Sequence, residues 1–358
     1  MHLNEIIEKI ENEERLTSEE GLFLLDTKDL EEREQIRQLA DLRRKKKVGD
    51  EVLFASTLFV YPTNLCELSC SFCSFYAKPG WKKAWYATPA QIEEKVRLHH
   101  PKGLNEIHIV GGLWRECNLD YYEELFHRIH SVDPTIHIKA LTPVEYDFLA
   151  KLHNISVEEV FKKMISWGLG SLPGGGAESL VEEIRRKIAP GKISSDEFLH
   201  IHRIAHRLGL SSNISMLFGH IEENKDLIFH LVKVRELQDE THGFHTFVPL
   251  KFGIENNALG RRKGRLMHKD VPLVYAVSRL MLDNFLHLKV LWNYVGVEEG
   301  LQLLNWGGND FSSTNLEEKV IAMAGGDCCK MDEPHMRALI ESIGRIPYFI
   351  HSGTYQPC

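Results

Sequence analysis

The chain is organised around the stretch Cys66-Glu67-Leu68-Ser69-Cys70-Ser71-Phe72-Cys73, which places three cysteines within eight residues in the spacing C-x3-C-x2-C. The preceding residues 57–61 are apolar and rich in β-branched and aromatic types, which predicts a β-strand. Pro62 and Asn64 end this run. We therefore expect the cysteines to lie on the loop that leaves the carboxyl end of the strand.

Three cysteines in this spacing indicate a metal site, because thiolates are soft ligands suited to zinc, copper(I) and iron–sulfur clusters. Such a loop can bind three irons of a four-iron cluster and leave the fourth iron for another ligand. A structural zinc site usually has four ligands in paired spacings, and no second C-x-x-C motif follows at that distance. Two alternatives stay open: a zinc site completed by a nearby histidine, and three unrelated buried thiols.

From residue 51 onward, strand-like segments alternate with helix-like segments. The predicted strands are residues 57–61, 107–110, 136–141, 169–172, 213–218, 243–250 and 288–292. The predicted helices are residues 89–99, 120–131, 156–167, 195–208, 224–239 and 271–285. This alternation predicts parallel strands with right-handed crossovers, and the number of units favours a (β/α) barrel over an open sheet. In such barrels the chemistry lies at the carboxyl ends of the strands.

The predicted fold class is α/β, a TIM-type (β/α) barrel with an N-terminal helical extension. Residues 1–50 form the helical segment, in which Thr17 and Glu20 have the spacing of a capping box. Residues 51–310 form the barrel, and residues 311–358 are expected to be a C-terminal helical extension.

Charge and composition exclude several classes of partner. The 358 residues carry a net charge of −8, so no basic field for nucleic acid is expected. No apolar run approaches the roughly 20 residues of a membrane span, and no signal peptide is apparent. We expect a cytoplasmic location, where clustered cysteines more often bind metals than form disulfides. The other cysteines have no metal-like spacing; they are Cys117, Cys328, Cys329 and Cys358.

The cysteine spacing, with the aromatic Phe72 directly before the last cysteine, resembles the radical S-adenosylmethionine (SAM) superfamily. The resemblance implies that Cys66, Cys70 and Cys73 bind a [4Fe-4S] cluster. It implies that the free iron of the cluster chelates the amino and carboxylate groups of SAM, and that Phe72 packs near the adenine.

Further cofactor contacts are expected after later strands. The pair Gly111-Gly112 is similar to the superfamily's Gly-Gly-Glu-like segment, whose backbone binds the SAM amino group, although Leu113 replaces the acidic residue. Ser171 is placed to meet a ribose hydroxyl. Ser215 begins a segment, ending at Glu222, that resembles the superfamily's adenine-binding segment.

Two other strand ends carry candidate ligand contacts. Gly174, Gly175 and Gly176 follow a proline, and a loop of this composition plausibly wraps a ligand and exposes N–H groups to an anion. Lys139 and Glu145 are either an ion pair at the barrel mouth or ligand contacts. A flexible connector remains the alternative for the glycines.

Longer segments of the sequence resemble segments of the enzymes of the futalosine route to menaquinone, in particular those of the aminofutalosine synthase family. The resemblance covers residues 15 to 345 and includes residues 173–178, 216–222, 235–241, 247–252, 278–284, 286–292 and 317–320. The chain departs from the family at Asn256-Asn257, where an Asn-Thr pair is usual, and at Ser312-Ser313-Thr314. These departures concern loops.

The family resemblance implies a reaction. The 5′-deoxyadenosyl radical derived from SAM adds to the double bond of 3-[(1-carboxyvinyl)oxy]benzoate, and 6-amino-6-deoxyfutalosine forms with loss of the carboxylate. A substrate with two carboxylates calls for cations. Lys251 and His220 are the favoured catalytic candidates, and Lys289 is a candidate substrate contact. An electron donor such as flavodoxin or ferredoxin is expected as partner.

Two other functions are considered. The sister enzyme, cyclic dehypoxanthinylfutalosine synthase, uses the same radical to abstract hydrogen from a later intermediate. A non-catalytic metal-binding barrel is the alternative outside the enzymes. The presence of all three cysteines together with the glycine pair argues against it.

Overall fold

The computed structural model describes residues 2–262, 266–326, 331–351 and 356–357. Cys328, Cys329 and Cys358 lie outside the described residues. The helices are α1 (Leu3–Glu11), α2 (Ser18–Asp26), α3 (Leu30–Val48), α4 (Pro89–His99), α5 (Leu119–Val132), α6 (Pro143–His153), α7 (Val157–Trp167), α8 (Glu182–Ile188), α9 (Ser195–Arg207), α10 (Asn224–Thr241), α11 (Val271–Met281), α12 (Trp292–Val295), α13 (Val297–Leu303), α14 (Val320–Met323) and α15 (Glu333–Ser342).

A seven-stranded parallel sheet forms the body of the protein, in the order β2-β3-β4-β5-β6-β7-β8. Its strands are β2 (Thr57–Val60), β3 (Glu106–Ile109), β4 (His137–Ala140), β5 (Leu169–Leu172), β6 (Ser211–Phe218), β7 (Phe244–Lys251) and β8 (His287–Leu288). Strand order follows chain order, as right-handed β–α–β units require. The TIM-type barrel predicted from the alternation is confirmed. The additional helix α6 was missed because it lies directly before α7.

The two edges of this sheet are joined by one segment, residues 309–316, which we call the seam segment. At the β8 edge, Asn309 N donates to Leu288 O (3.1 Å) and Val290 N donates to Asp310 O (2.7 Å). At the β2 edge, Phe59 N donates to Leu316 O (2.9 Å) and Leu316 N donates to Thr57 O (3.1 Å). The sheet is therefore curled, and backbone hydrogen bonds close it.

A second sheet has the order β11-β10-β1-β9. Its strands are β1 (Glu51–Ala55), β9 (Asp310–Ser313), β10 (Ile346–His351) and β11 (Gln356–Pro357). Parallel pairing joins β1 to both β9 and β10. The helical prediction for residues 311–358 was therefore wrong for these strands, because short apolar runs near a chain end give no periodicity that separates strand from helix.

The N-terminal helices pack against the outside of the barrel. Helix α3 contacts α11, and α2 contacts α10 and α11. Ile36 and Ala40 of α3 are buried in this contact. The predicted capping box is present, since Glu20 N donates to Thr17 Oγ1 and Thr17 N donates to Glu20 Oε2.

No helix in the described part of the chain is both long enough and apolar enough to cross a bilayer.

Arg279 of α11 is buried and has no carboxylate partner among its hydrogen bonds. Its guanidinium donates to Gly307 O (2.8 Å), Leu286 O (3.0 Å) and Asn309 Oδ1 (2.8 Å). It thereby connects α11 to the start of the seam segment. Burial lowers the pKa of Arg279 to about 9.

We predict that Arg279→Met lowers the free energy of unfolding by about 3 kcal/mol, because it removes several buried hydrogen bonds at once. The matched control is Arg97→Met, which breaks a solvent-exposed ion pair with Glu93 and should cost less than about 1 kcal/mol. Denaturant unfolding followed by circular dichroism measures both. Equal losses in the two variants would contradict a structural role for Arg279.

Candidate active site

The cysteine loop leaves the carboxyl end of β2, as predicted, and is folded around Lys78. The Lys78 ammonium donates to the carbonyls of Cys66 (2.8 Å), Glu67 (2.9 Å) and Leu68 (3.0 Å). Cys66 N donates to Ala77 O (3.1 Å), which closes the loop. A lysine that satisfies three consecutive carbonyls fixes the backbone that carries the first two cysteines.

The far end of the loop is attached to the opposite side of the barrel mouth. Ser71 N donates to Ile188 O (2.8 Å), and Leu259 N donates to Ser71 O (2.7 Å). Ser74 Oγ donates to Glu255 O (2.6 Å). The loop therefore spans the mouth of the barrel.

The three cysteines line one cavity of about 190 Å³, which we call the cluster cavity. Burial raises the pKa of the Cys70 thiol to about 11. Leu113 N donates to Cys66 Sγ (3.4 Å), and such N–H···S contacts tune iron–sulfur centres. Three thiols that line one cavity fit a [4Fe-4S] cluster with an open fourth iron. Among the residues that the structure describes, no three His, Cys, Asp or Glu side chains form a candidate site for a single metal ion.

The glycine pair lies in the cluster cavity beside the cysteine loop. Gly112 touches the loop so closely that a Cβ there would lie 2.0 Å from Leu65 O. Gly111 N donates to Glu145 Oε1 (2.9 Å), and Gly112 N donates to Thr63 O (2.9 Å). An ammonium is only a donor, so the groups of this pair that could bind a SAM ammonium are the glycine carbonyl oxygens.

Glu145 also lines the cluster cavity, at the start of α6. It accepts hydrogen bonds from Thr142 N (2.7 Å) and Thr142 Oγ1 (2.8 Å). Burial raises the pKa of Glu145 to about 7, although these hydrogen bonds oppose the rise. The alternative of an ion pair between Lys139 and Glu145 was wrong, because Lys139 binds Glu106.

Phe72 lines the cluster cavity, and the Lys192 ammonium lies 5.3 Å from its ring centre. Lys192 forms a buried ion pair with Glu178 (2.5 Å). Burial lowers the pKa of Lys192, but the charge of Glu178, the charge of Cys70 and the hydrogen bond to Glu178 together outweigh this effect, and the pKa is raised. Lys192 is therefore a cation in the cluster cavity that the sequence reasoning missed.

A second cavity, of about 230 Å³, occupies the interior of the barrel, and we call it the barrel cavity. Val110, Thr142 and Val320 line both cavities. Gly174 and Gly175 line the barrel cavity, whereas Gly176 lines the cluster cavity. The two cavities therefore adjoin.

Ser215 lines the barrel cavity next to the glycine loop. Its Oγ donates to Gly174 O (2.7 Å), and its N–H also donates to Gly174 O (3.0 Å). Ser215 thus fixes the position of the loop.

Two ion pairs lie in the barrel, and the one between Lys139 and Glu106 is fully buried. Lys139 Nζ is 2.5 Å from Glu106 Oε2, and Lys289 Nζ is 3.1 Å from Asp310 Oδ2. Burial opposes the ionisation of Glu106, but the charges of Lys139, His137 and Lys289 outweigh it and lower its pKa. Burial raises the pKa of Asp310, and Lys289 opposes this rise. Lys139 and Lys289 therefore provide cations within the barrel.

His108 lies beside the first of these pairs on the cavity wall. Burial and the charge of Lys139 lower its pKa to about 3. His108 is therefore a neutral ring at physiological pH, and it adds hydrogen-bonding capacity without charge.

Three residues that were predicted to contact a ligand lie outside the two cavities. His220 is fully buried outside both cavities, where its Nε2 is 3.1 Å from Leu217 O and its Nδ1 accepts from Ile221 N (2.8 Å). Lys251 lies in a separate surface depression, 3.7 Å from Glu299, because Val248 and Leu250 of β7 face the barrel cavity and successive side chains of a strand alternate in direction. Ser171 is buried against His137, at 2.7 Å. The catalytic roles expected of His220 and Lys251 and the ribose contact of Ser171 are not supported by these positions.

A sequence signal for the missed cavity residues did exist. Glu106 and His108 alternate with the buried Ile107 and Ile109 along β3. Successive side chains of a strand point to opposite sides of the sheet, so polar residues two apart can share the interior of a barrel. Lys139 repeats this pattern two residues after His137.

Comparison with known protein families gives two matches that together span most of the chain. The pattern described as "Radical SAM superfamily" matches residues 60–233. The pattern described as "CofH/MqnC C-terminal region" matches residues 241–357.

Curated relatives are similar over nearly the whole length. An aminodeoxyfutalosine synthase of Thermus thermophilus is 36% identical over 96% of this chain and 92% of its own length. A 5-amino-6-(D-ribitylamino)uracil–L-tyrosine 4-hydroxyphenyl transferase of Methanoculleus marisnigri is 37% identical over 96% of this chain and 95% of its own length.

Two solved structures have the same overall fold as this chain. A crystal structure of methylornithine synthase superposes with a TM-score of 0.77 at 17% identity, over 97% of this chain and 98% of the other. The FeFe-hydrogenase maturase HydG from Carboxydothermus hydrogenoformans gives 0.76 at 18% identity, over 99% of this chain and 80% of the other.

We predict that Cys70→Ser abolishes stable cluster binding, because a hydroxyl is a poor replacement for a thiolate ligand. Iron and sulfide content and visible absorbance after anaerobic reconstitution measure this. Cys117→Ser is the matched control, since Cys117 is buried but lies outside the cluster cavity. A full cluster in the Cys70 variant would refute the assignment.

We also predict that Gly112→Ala lowers cluster occupancy much more than Gly111→Ala. The added methyl at residue 112 would collide with the Leu65 carbonyl at 2.0 Å, whereas at residue 111 its nearest neighbour is Thr63 O at 3.2 Å. The first variant must therefore displace the backbone next to Cys66. Iron analysis of both proteins provides the comparison, and equal occupancy would contradict the close approach.

Proposed function

Because this chain belongs to the radical SAM superfamily, in the group with the CofH/MqnC C-terminal region, we propose that it is an aminodeoxyfutalosine synthase. Membership of this group supports a radical SAM enzyme that has a [4Fe-4S] cluster, uses SAM as co-substrate and catalyses a transferase-type reaction. Our proposal adds the identity of the acceptor, 3-[(1-carboxyvinyl)oxy]benzoate.

Cys66, Cys70 and Cys73 would hold the cluster, which would supply the electron for cleavage of the C5′–S bond of SAM with release of methionine. In the proposed reaction, C5′ bonds to the methylene carbon of the enol ether of the acceptor. The adduct would then rearrange, lose its carboxylate as carbon dioxide and return one electron to the cluster, so that SAM and the acceptor form 6-amino-6-deoxyfutalosine, methionine and carbon dioxide without net oxidation or reduction. SAM is consumed as a building block.

The main support for the proposal is the wall that the cluster cavity and the barrel cavity share. SAM bound in the cluster cavity would present its 5′ carbon towards the barrel cavity past Val110, Thr142 and Val320. An acceptor in the barrel cavity is then close to C5′ and shielded from water, and proximity is the main contribution a protein can make to a radical addition. Lys139 and Lys289 are the cations for an acidic acceptor.

A second candidate function is the transfer of the 4-hydroxyphenyl group of tyrosine, the reaction named for the Methanoculleus marisnigri relative. One observation favours it. Lys139 and Lys289 are each paired with a carboxylate, so the interior offers both signs of charge. Such a site suits an amino acid zwitterion as well as a dicarboxylate.

The test uses anaerobically reconstituted enzyme, reductant and SAM, with each acceptor in turn. We expect a covalent nucleoside–benzoate adduct with 3-[(1-carboxyvinyl)oxy]benzoate, measured by mass spectrometry. Formation of a product only from tyrosine and 5-amino-6-(D-ribitylamino)uracil would favour the second candidate. Free 5′-deoxyadenosine as the main product with a futalosine-type substrate would favour the sister cyclase.

A further inference from the structure

The seam segment and the residues after it form part of the wall of the barrel cavity. Ser312, Ser313 and Asn315 all line this cavity. Ser312 and Asn315 have left-handed backbone conformations, with φ of 62° and 53°. Such conformations are unfavourable for residues other than glycine, with asparagine among the more tolerant, and they cluster at functional sites.

Backbone hydrogen bonds hold this unfavourable conformation in place. Thr314 N donates to Ala55 O (3.1 Å), and Leu316 N donates to Thr57 O (3.1 Å). Ser312 N donates to Asp310 Oδ1 (2.9 Å). Asn315 is therefore fixed between two anchored neighbours.

The side chain of Asn315 is 4% exposed and only partly satisfied. Its Oδ1 accepts from Ser313 Oγ (3.1 Å), whereas its Nδ2 has no hydrogen-bond partner among the described residues. The Oδ1 of Asn293, which is 2% exposed on the same cavity wall, also lacks a partner within the described part of the chain. Burying a polar group without a partner is unfavourable, so both amides are available to a polar ligand in the cavity.

The charged side chains around the cavity indicate which kind of ligand it can bind. Lys289 lines the cavity and is paired with Asp310, and Lys139 is paired with Glu106. An anionic ligand that approaches these lysines must share them with the resident carboxylates. A neutral N–H donor such as Asn315 Nδ2 can bind a carboxylate oxygen without that competition.

We propose that Asn315 is a specificity-determining residue that donates a hydrogen bond to a carboxylate oxygen of the aryl substrate, with Lys289 as a cation that lines the same cavity. The proposal rests on the proposed function for the identity of the substrate.

A purely conformational role for Asn315 makes a different prediction. Asparagine tolerates a left-handed backbone, and glycine and aspartate tolerate it as well. If conformation were the whole role, Asn315→Gly and Asn315→Asp would both behave like the wild type. If the amide binds a carboxylate, glycine removes the donor, and aspartate replaces the donor with a second negative charge.

The experiment measures equilibrium binding of 3-(carboxymethoxy)benzoate, a dicarboxylate without the reactive alkene, to the reconstituted protein by calorimetry. We expect about tenfold weaker binding for Asn315→Gly and a larger loss for Asn315→Asp. Glu317→Gly is the control, since Glu317 has the same backbone strain (φ 56°) but does not line the cavity. It should bind the analogue like the wild type. SAM affinity should be equal in all four proteins.

The possible outcomes distinguish the proposed role of Asn315 from the proposed synthase reaction. Wild-type affinity for the analogue in both Asn315 variants, or no binding to the wild type, would overturn the role of Asn315. Weaker binding in these variants, without any adduct from 3-[(1-carboxyvinyl)oxy]benzoate in the wild type, would support the carboxylate site and reject the synthase reaction. A loss of affinity in Glu317→Gly as large as in Asn315→Gly would assign the effect to the backbone and reject the proposal.

Discussion

The closure of the parallel sheet is the constraint on which the site depends. Seven parallel strands present their carboxyl ends at one rim only if the sheet curls, and the seam segment fixes that curl by hydrogen bonds to β2 and β8. The cysteine loop after β2 then faces the loops after the later strands. Without closure, Cys70 and the region around Leu259 would lie at opposite ends of an open sheet.

The interior of the barrel carries an unusual amount of charge for a protein core. Buried ion pairs such as Lys139–Glu106 contribute little to stability, because desolvation offsets the attraction between the charges. Their presence on the wall of a cavity is better explained by ligand binding than by folding. The cluster cavity is also lined by charged groups, because the ion pair of Lys192 and Glu178 is buried beside the cysteines.

Local patterns in the sequence predicted the fold and the position of the cysteine loop, but they did not predict which side chains line the interior of the barrel. The spacing of Cys66, Cys70 and Cys73 is a local signal, and so is the alternation of strands and helices. Which strand-end residue reaches a cavity depends on strand length and register. Lys251 and His220 had suitable residue types but lie outside the cavities, whereas Asn315 enters one because of a left-handed backbone that sequence periodicity does not reveal.

The pairing of β1 with β10 has a consequence for biogenesis. Residues 51–54 lie beside residues 346–349, and the edge strand β2 receives its last partner from Leu316. Domains otherwise tend to fold as they are synthesised, amino terminus first. Here the chain as far as β10 must leave the ribosome before β1 can pair with both of its neighbours, β9 and β10. Until then the hydrogen-bonding edges of β1 and β2 are open, which is the period when the growing chain most needs protection from self-association.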